Sequence, residues 1–592
     1  MKSSGHNYSS VQQRPAEPSD SGLVTQLLHV EEAQPAVEDL PLDRAYYWEK
    51  TRPHQIFLTQ PVNGGVRDWR WADMMDEARR MAAYLKKQNW PAGSRIVILS
   101  KNCAWWILAE LAIWMSDHVT VPLYTSLTVE SVRHLIEHCQ PVACFLGPVD
   151  NRALLSEAIP ADRVHSIRFP NAPACQAFDW ETVVAKTDPL RTNPVRGPND
   201  LATIIYTSGT TGAPKGVMHR FAAFSWFAKA VTQVTGKNRP HRVISYLPLA
   251  HIAERALTET TALYEGWRIF FCQSVDTFVR DLQRARPTVF FSVPRLYTKF
   301  QAGVLGKIPQ TKLDWLLKIP LVSYFLRRRI LRKLGLQAVR FAASGSAPIS
   351  PDLLLWFRKL GLPLTEGYGT TETGITHTAP RGQYRGGYVG CSAPGVDTRI
   401  ADNGEILLRS PMNMLGYYED PEATREILTT DGFIHTGDLG ESDDEGWLKI
   451  KGRMKEQFKT SKGKYVSPAT IELMLSVHGA IESSLVMGSG LAAPFAVAVL
   501  SPEAQQSAEL PSGRYKLEKS LKDLLKNVNA RLAPYEQLQF MVLTRSRWSV
   551  ENGFLTPTLK LKRQVLEAYY ASFIPEWVGA NTSLIWHAKD SK

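Results

Sequence analysis

The chain has 592 residues, with 69 Lys+Arg against 57 Asp+Glu and a net charge of +12. At 44% hydrophobic, 10% aromatic and 21% charged residues, it has the composition of a globular protein large enough for several domains, which excludes collagen, coiled coil or disorder as the main architecture. No stretch has the length of a membrane span: the best candidate, Cys103 to Met115, is interrupted by Glu110 and reads as a buried helix.

Residues 1–40 are rich in Ser, Pro, Gln and Glu without an apolar period, which predicts a disordered tail, and no signal-peptide core is visible there. The expectation is a cytoplasmic protein. Order is expected to begin near Asp43–Trp48. From Arg95 strands and helices alternate: RIVIL (95–99), an apolar helix (104–115), VTVPL (119–123), a helix from Val129 to His138, and VACFL (142–146). Such spacing predicts βαβ units and parallel sheets flanked by helices. The rhythm continues through ATIIY (202–206), VISYLP (243–248), RIFF (268–271), TVFFSVP (288–294) and VRFAASG (339–345). Near Gly446–Arg453 it gives way to shorter, Lys-rich segments. The predicted fold class is α/β, with a large domain over 41–452 and a small, mobile α+β domain over 453–592. Six scattered cysteines without a CxxC pair read as reduced core thiols.

The basic excess is concentrated. Eight cations (Lys307, Lys312, Lys318, Arg327, Arg328, Arg329, Arg332, Lys333) and one acid, Asp314, give the stretch 307–333 a charge of +7, interleaved with Trp315, Leu321, Tyr324 and Phe325. A helix of this composition suits peripheral contact with an anionic membrane; the alternative is a solvated helix that covers the core with Lys and Arg stems. No nucleic-acid fold signature accompanies the charge, so no nucleic-acid partner is expected.

The strongest local motif follows a strand directly: Tyr206-Thr207-Ser208-Gly209-Thr210-Thr211-Gly212-Ala213-Pro214-Lys215-Gly216. Hydroxyl donors, glycines that expose backbone N–H groups and one lysine suit a phosphate cradle. Walker A spacing is absent.

This segment resembles the signature loop of the adenylate-forming (AMP-binding) superfamily, and further motifs follow in order. Leu247-Pro-Leu-Ala-His251-Ile-Ala-Glu254-Arg255 comes first, then Ser344-Gly345-Ser346-Ala347-Pro348, which resembles the adenine-side turn. Glu366-Gly367-Tyr368-Gly369-Thr370-Thr371-Glu372-Thr373 resembles the tyrosine-and-acid motif. His435-Thr436-Gly437-Asp438-Leu439 and Gly452-Arg453-Met454-Lys455 resemble the ribose-contacting motifs, and Asn552 to Arg563 resembles the C-terminal lysine motif.

The resemblance implies an ATP-binding site built from Thr207, Ser208, Gly209, Thr210, Thr211, Gly212, Lys215, Gly345, Ser346, Ala347, Pro348, Gly367, Tyr368, Gly369, Thr370, Asp438 and Arg453. In it Tyr368 would stack on adenine, Asp438 and Arg453 would reach the ribose, and Glu372 would hold Mg²⁺. Lys560, Thr371 and His251 are the implied catalytic residues. A hinge at Lys455 would let the small domain turn a second face inward, bringing Ser461, Gly463 and Lys464 towards CoA; Lys462 stands where related bacterial synthetases have another glycine. The segment Arg286–Phe300 is most similar to the long-chain fatty acyl-CoA synthetase branch. The expected reaction is ATP-dependent activation of a long-chain fatty acid to acyl-AMP and transfer to CoA. A carrier protein or other acceptor in place of CoA, or a non-catalytic relative, remains open.

Overall fold

The computed structural model describes residues 40–62, 64–207, 214–237, 239–556 and 559–587. Residues 1–39 of the expected tail (1–40), the segment Ser208, Gly209, Thr210, Thr211, Gly212 and Ala213, and Pro557 and Thr558 lie outside the described residues; Leu40, the last residue of that tail, is instead buried at the start of helix Pro41–Thr51.

The alternating sequence builds three sheets. The largest has eight strands in the order Gly416–Tyr417, Lys215–Arg220, Leu201–Thr207, Val119–Leu123, Arg95–Leu99, Ala143–Leu146, His165–Arg168 and Phe178–Asp179. From Leu201–Thr207 onwards all neighbours are parallel; the first two strands join antiparallel. Helix Ala104–Met115 crosses over between two of these strands with every residue buried, Glu110 included. An apolar helix without a polar face must be enclosed on all sides.

A second sheet orders Arg242–Ser245, Arg268–Phe271, Ile56–Val62 and Gly65–Arg70, the last strand antiparallel. A third orders Val289–Ser292, Phe341–Ser344, Leu364–Thr370, Gly374–Thr378 and Cys391–Ser392. Its first three strands are parallel and its last two antiparallel. A fourth, wholly antiparallel sheet of Asp397–Ile400, Glu405–Arg409, Ile434–Ser442 and Leu448–Arg453 was not foreseen by the parallel rhythm. Only Glu405–Arg409 carries an apolar run, Ile406–Leu408; the other three strands are partly buried and mix polar with apolar residues, so no run announces them.

After Arg453 a short 3₁₀ turn, Met454–Glu456, leads into a hairpin (Phe458–Lys459 with Tyr465–Val466) and a mixed four-stranded sheet ordered Ile481–Met487, Phe495–Leu500, Met541–Thr544 and Leu584–Trp586. Among the described residues no strand after Arg453 pairs with one before it, and the apolar clusters of this part draw only on residues from Phe458 onwards. No disulfide joins the cysteines. Cys103, Cys139 and Cys144 are buried, whereas Cys175, Cys272 and Cys391 are only partly so, which corrects the expectation that all six belong to the core.

Candidate active site

The third and fourth sheets bring the tyrosine and acid motifs together. Tyr368 lies in the strand Leu364–Thr370, where it pairs antiparallel with Gly374–Thr378, and a bulge between Tyr368 and Gly369 re-aims the strand before the turn that carries Thr371 and Glu372. Gly369 is required there: a Cβ would stand 1.9 Å from the carbonyl oxygen of Gly374. The turn is closed on itself, Thr370 N–H donating to Thr373 Oγ1 (3.3 Å) and Thr373 N–H to Thr370 Oγ1 (3.2 Å).

Asp438 and Arg453 are register partners on neighbouring strands. The Tyr368 hydroxyl donates to Asp438 Oδ2 at 2.6 Å, and Arg453 Nε lies 3.0 Å from Asp438 Oδ1. Burial raises the Asp438 pKa, against the pull of the Arg453 charge, the Tyr368 hydroxyl and Lys560. The Tyr368 phenol is held well above its ordinary range by burial and then by the Asp438 charge, so it stays a donor. An acceptor-only group with fixed orientation is suited to a diol.

Glu372 accepts from the Tyr417 hydroxyl (3.1 Å), and the Lys215 ammonium lies over the Tyr417 ring at 4.8 Å from its centroid. Tyr417 carries no motif and was missed; it joins the acid to the end of the glycine-rich loop. The strands on either side of that loop pair antiparallel, with Thr207 opposite Lys215. The Thr371 carbonyl accepts from His219 Nε2 at 2.7 Å. Burial lowers the His219 pKa to about 4, so the ring is a neutral Nε2–H donor. No sequence signal distinguishes His219 from a core histidine.

The Gly345–Pro348 turn packs beside Tyr368 because Ser344 and Glu366 pair in register. A Cβ on Gly345 would stand 3.2 Å from the Gly367 carbonyl, so the two backbones touch. Ser346 holds φ +65°, a conformation costly for a side-chain residue. Ala347 and Pro348 are exposed beyond it, and the buried Ser344 Oγ has no hydrogen-bond partner. Glu366 beneath the turn accepts from Ile349 N–H (3.3 Å), and burial pushes its pKa up to about 8.

His251 caps a short helix, its Nδ1 accepting from Ala253 N–H at 3.1 Å. That leaves the proton on Nε2. Burial, then the Lys560 charge, pushes its pKa down to about 3, so the imidazole is neutral. Asn102 clamps the segment before it, donating to Ser245 Oγ (2.8 Å) and the Leu247 carbonyl (2.6 Å) and accepting from Leu249 N–H (3.0 Å). Behind His251, Arg255 is wholly buried in a π-helical turn, Arg255–Thr260. It pairs with Glu110, lies 3.5 Å from Glu259 and donates to Thr203 Oγ1 at 2.7 Å. Burial and then the Glu110 charge raise the Glu259 pKa well above the carboxylate range, so Glu259 keeps its proton beside the ion pair. Arg255 thereby ties the His251 turn to the strand that enters the glycine-rich loop.

Lys560 comes from the C-terminal sheet region on a tight loop: its N–H donates to Thr556 Oγ1 (3.0 Å), Thr556 N–H donates to its carbonyl (2.8 Å), and Leu559 holds φ +61°. Burial by surrounding protein and then the Arg453 charge lower the Lys560 pKa, while Asp438 and Glu372 pull the other way. Lys560, His251, Asp438, Arg453 and Glu372 therefore share one electrostatic neighbourhood. Lys455 occupies the 3₁₀ turn between the two parts. Ser461, Gly463 (φ +76°) and Lys464 form the tip of the Phe458–Val466 hairpin. The hydrogen bonds there, Ser461 N–H to Leu491 among them, stay within the C-terminal part, and none joins the Asp438 cluster.

No group of three His, Cys, Asp or Glu side chains among the described residues could cage a metal. A cation at Glu372 would thus take most ligands from phosphate and water, which is how Mg²⁺ is commonly held beside nucleotides.

Residues 46–418 match the family model described as AMP-binding enzyme. The chain is 29% identical to "Long chain acyl-CoA synthetase 6, peroxisomal" of Arabidopsis thaliana, over 87% of this chain and 82% of that protein. It is 30% identical to "Long-chain-fatty-acid--CoA ligase 6" of Mus musculus, over 90% and 87%. Among solved structures, the adenylation domain of a carboxylate reductase from Mycobacterium chelonae superposes with TM-score 0.79 at 21% identity, covering 95% of this chain and 93% of that one. An anthranilate CoA ligase in complex with anthranoyl-AMP gives TM-score 0.76 at 19% identity, covering 91% and 100%. The chain belongs to the AMP-binding enzyme family.

Proposed function

We propose that this enzyme uses ATP to convert a long-chain fatty acid to acyl-AMP and then transfers the acyl group to CoA, releasing AMP and pyrophosphate. The observation that carries the reading is the meeting of Lys560 with Asp438, Arg453, Glu372 and His251, five charged or polar side chains drawn from segments as far apart as residues 251 and 560. The similarity to long-chain synthetases supports the choice of acid.

Bringing a carboxylate to a triphosphate sets anion against anion, so the site must neutralise charge where it builds up. Thr207, the 208–212 loop and Lys215 would hold the phosphates, and Glu372 would hold Mg²⁺, which supplies further neutralisation. Tyr368 and the 345–348 turn would bound the adenine while Asp438, oriented by Tyr368 and Arg453, accepts from the ribose hydroxyls. Neutral His251 would donate from Nε2 to the acid's carboxylate without adding a charge, and Thr371 would donate to the α-phosphate. Lys560 would bridge the attacking carboxylate oxygen and the α-phosphate as negative charge develops.

For the second step the part from Arg453 onwards would act as a small domain (453–592) turning on Lys455 against the large one (41–452). Lys560 would leave, and Ser461, Gly463 and Lys464 would line the approach of the thiol. The CoA thiolate then attacks the acyl carbonyl, and AMP departs with the electron pair of the broken C–O bond.

An acid panel from acetate to oleate, with aromatic acids, tests this. With MgATP, AMP and pyrophosphate should form with long-chain acids, and turnover should require CoA. AMP formation without a CoA requirement would reassign the acceptor, to a carrier protein for instance. ADP as product, or no turnover with any acid, would overturn the proposal.

A further inference from the structure

The charged stretch 307–333 folds as two helices, Gln310–Leu317 and Pro320–Lys333, joined by a turn. Their inner side is accounted for: Leu313 and Ile330 are buried, and Leu317, Leu326, Leu331 and Leu334 pack against the same apolar cluster. The outer side is not. Trp315 is 61% exposed, Leu321 76%, Tyr324 57% and Phe325 66%. With Val322, five of the 21 large apolar side chains exposed among the described residues fall within positions 315–325. Scattered exposed apolar groups need no explanation, but a contiguous set does.

The charges repeat the pattern. None of the eight cations in this stretch forms an ion pair with a described residue. Leu321 and Phe325 stand one helical turn apart, and Arg328, Arg329 and Arg332 continue their row towards the C-terminus. Arg328 also donates to the Tyr324 hydroxyl at 3.1 Å. The hairpin thus has an apolar, aromatic end at its turn and a collar of unpaired cations behind it. An aromatic residue with a polar tip belongs at the boundary between headgroup and acyl chain, and Lys and Arg belong on the phosphates.

We propose that this hairpin docks the enzyme peripherally on an anionic lipid bilayer, with Trp315, Leu321, Tyr324 and Phe325 entering the headgroup–acyl boundary and the flanking cations on lipid phosphate. The dock is independent of the catalytic reading. If the enzyme takes a long-chain acid, the dock also places the site at the surface where that acid partitions, because the cluster beneath the hairpin contains the strands that lead to Glu366 and to the 345–348 turn.

The test is co-sedimentation of the full chain with vesicles of phosphatidylcholine alone or with phosphatidylglycerol added. Two multiple variants accompany it: Trp315→Ser with Leu321→Ser and Phe325→Ser, and Arg328→Gln with Arg329→Gln, Arg332→Gln and Lys333→Gln. Thermal melting confirms that each is folded. At least tenfold tighter binding to the anionic vesicles, reduced by salt and lost at least tenfold in each variant, is the expected result. Turnover of detergent-dispersed acid should be unchanged in both. Equal binding by wild type and variants, or no pelleting at all, overturns the dock. Loss confined to the charge variant overturns insertion and leaves a cationic surface suited to an acidic protein. Vesicle binding without any acid-dependent turnover would contradict the ligase reading while the dock stands.

Discussion

The two sides of the candidate site are built differently. The side that would hold the nucleotide is fixed in sheet: Asp438 is 4% exposed, sits on a strand opposite Arg453 and is bonded to Tyr368 on another sheet. The side that brings Lys560 is a loop whose backbone bonds are to its own neighbour Thr556. A group locked into sheet cannot leave without breaking several bonds. A group on a loop beyond a 3₁₀ turn, in a part with its own core, can be presented and withdrawn. The contrast separates binding, which should persist through both steps, from charge needed in only one.

The largest effect should come from the loop side. Lys560→Ala should lower acyl-AMP formation about 10³-fold, the scale of losing one transition-state donor, when acid-dependent ATP–pyrophosphate exchange is measured. On the sheet side, Asp438→Asn should lower kcat/KM for ATP by about 10²-fold in both half-reactions alike, since it removes a charged acceptor from a fixed cradle. Tyr368→Phe should cost about tenfold in the same measurement, because one hydrogen bond to Asp438 is lost while the ring remains. His251 sharpens the contrast without a charge: with its pKa near 3, His251→Gln should leave the pH profile of adenylation unchanged between pH 5 and 7 while lowering kcat several-fold. A shifted acid limb in that variant would contradict a neutral imidazole.

The smallest effect concerns Glu366. Its folded pKa is raised from the ordinary carboxylate value to about 8, so the folded state holds a proton that the unfolded chain releases. Its contribution to stability is fully present below the ordinary value and is lost as pH rises through 8. Glu366→Gln should therefore reduce the fall in Tm between pH 5 and 8, by an amount of order a few °C.

Much of this arrangement is legible in the sequence, for a physical reason: loops that touch phosphate or sugar are made of contiguous residues. The segments around Thr207, Tyr368, Asp438 and Lys560 announce themselves locally, and the strands between them show their apolar runs. Partnership across the chain is not local. Glu110 reads as an interruption in an apolar helix, and only the fold supplies Arg255, 145 residues away, as its partner. Tyr417 and His219 act through contacts made by strand pairing, and neither carries a composition signal. The alternation that predicts parallel strands cannot say which sheet each strand enters, because register and neighbour are settled by tertiary packing.

The most direct measurement supplies acyl-AMP and CoA to the Lys560→Ala variant and times thioester formation beside its adenylation rate. If the loop side serves only the first step, thioester formation should stay within a few-fold of wild type while adenylation is lost. Equal loss of both steps would show that Lys560 belongs to a single fixed site and would contradict the division of labour.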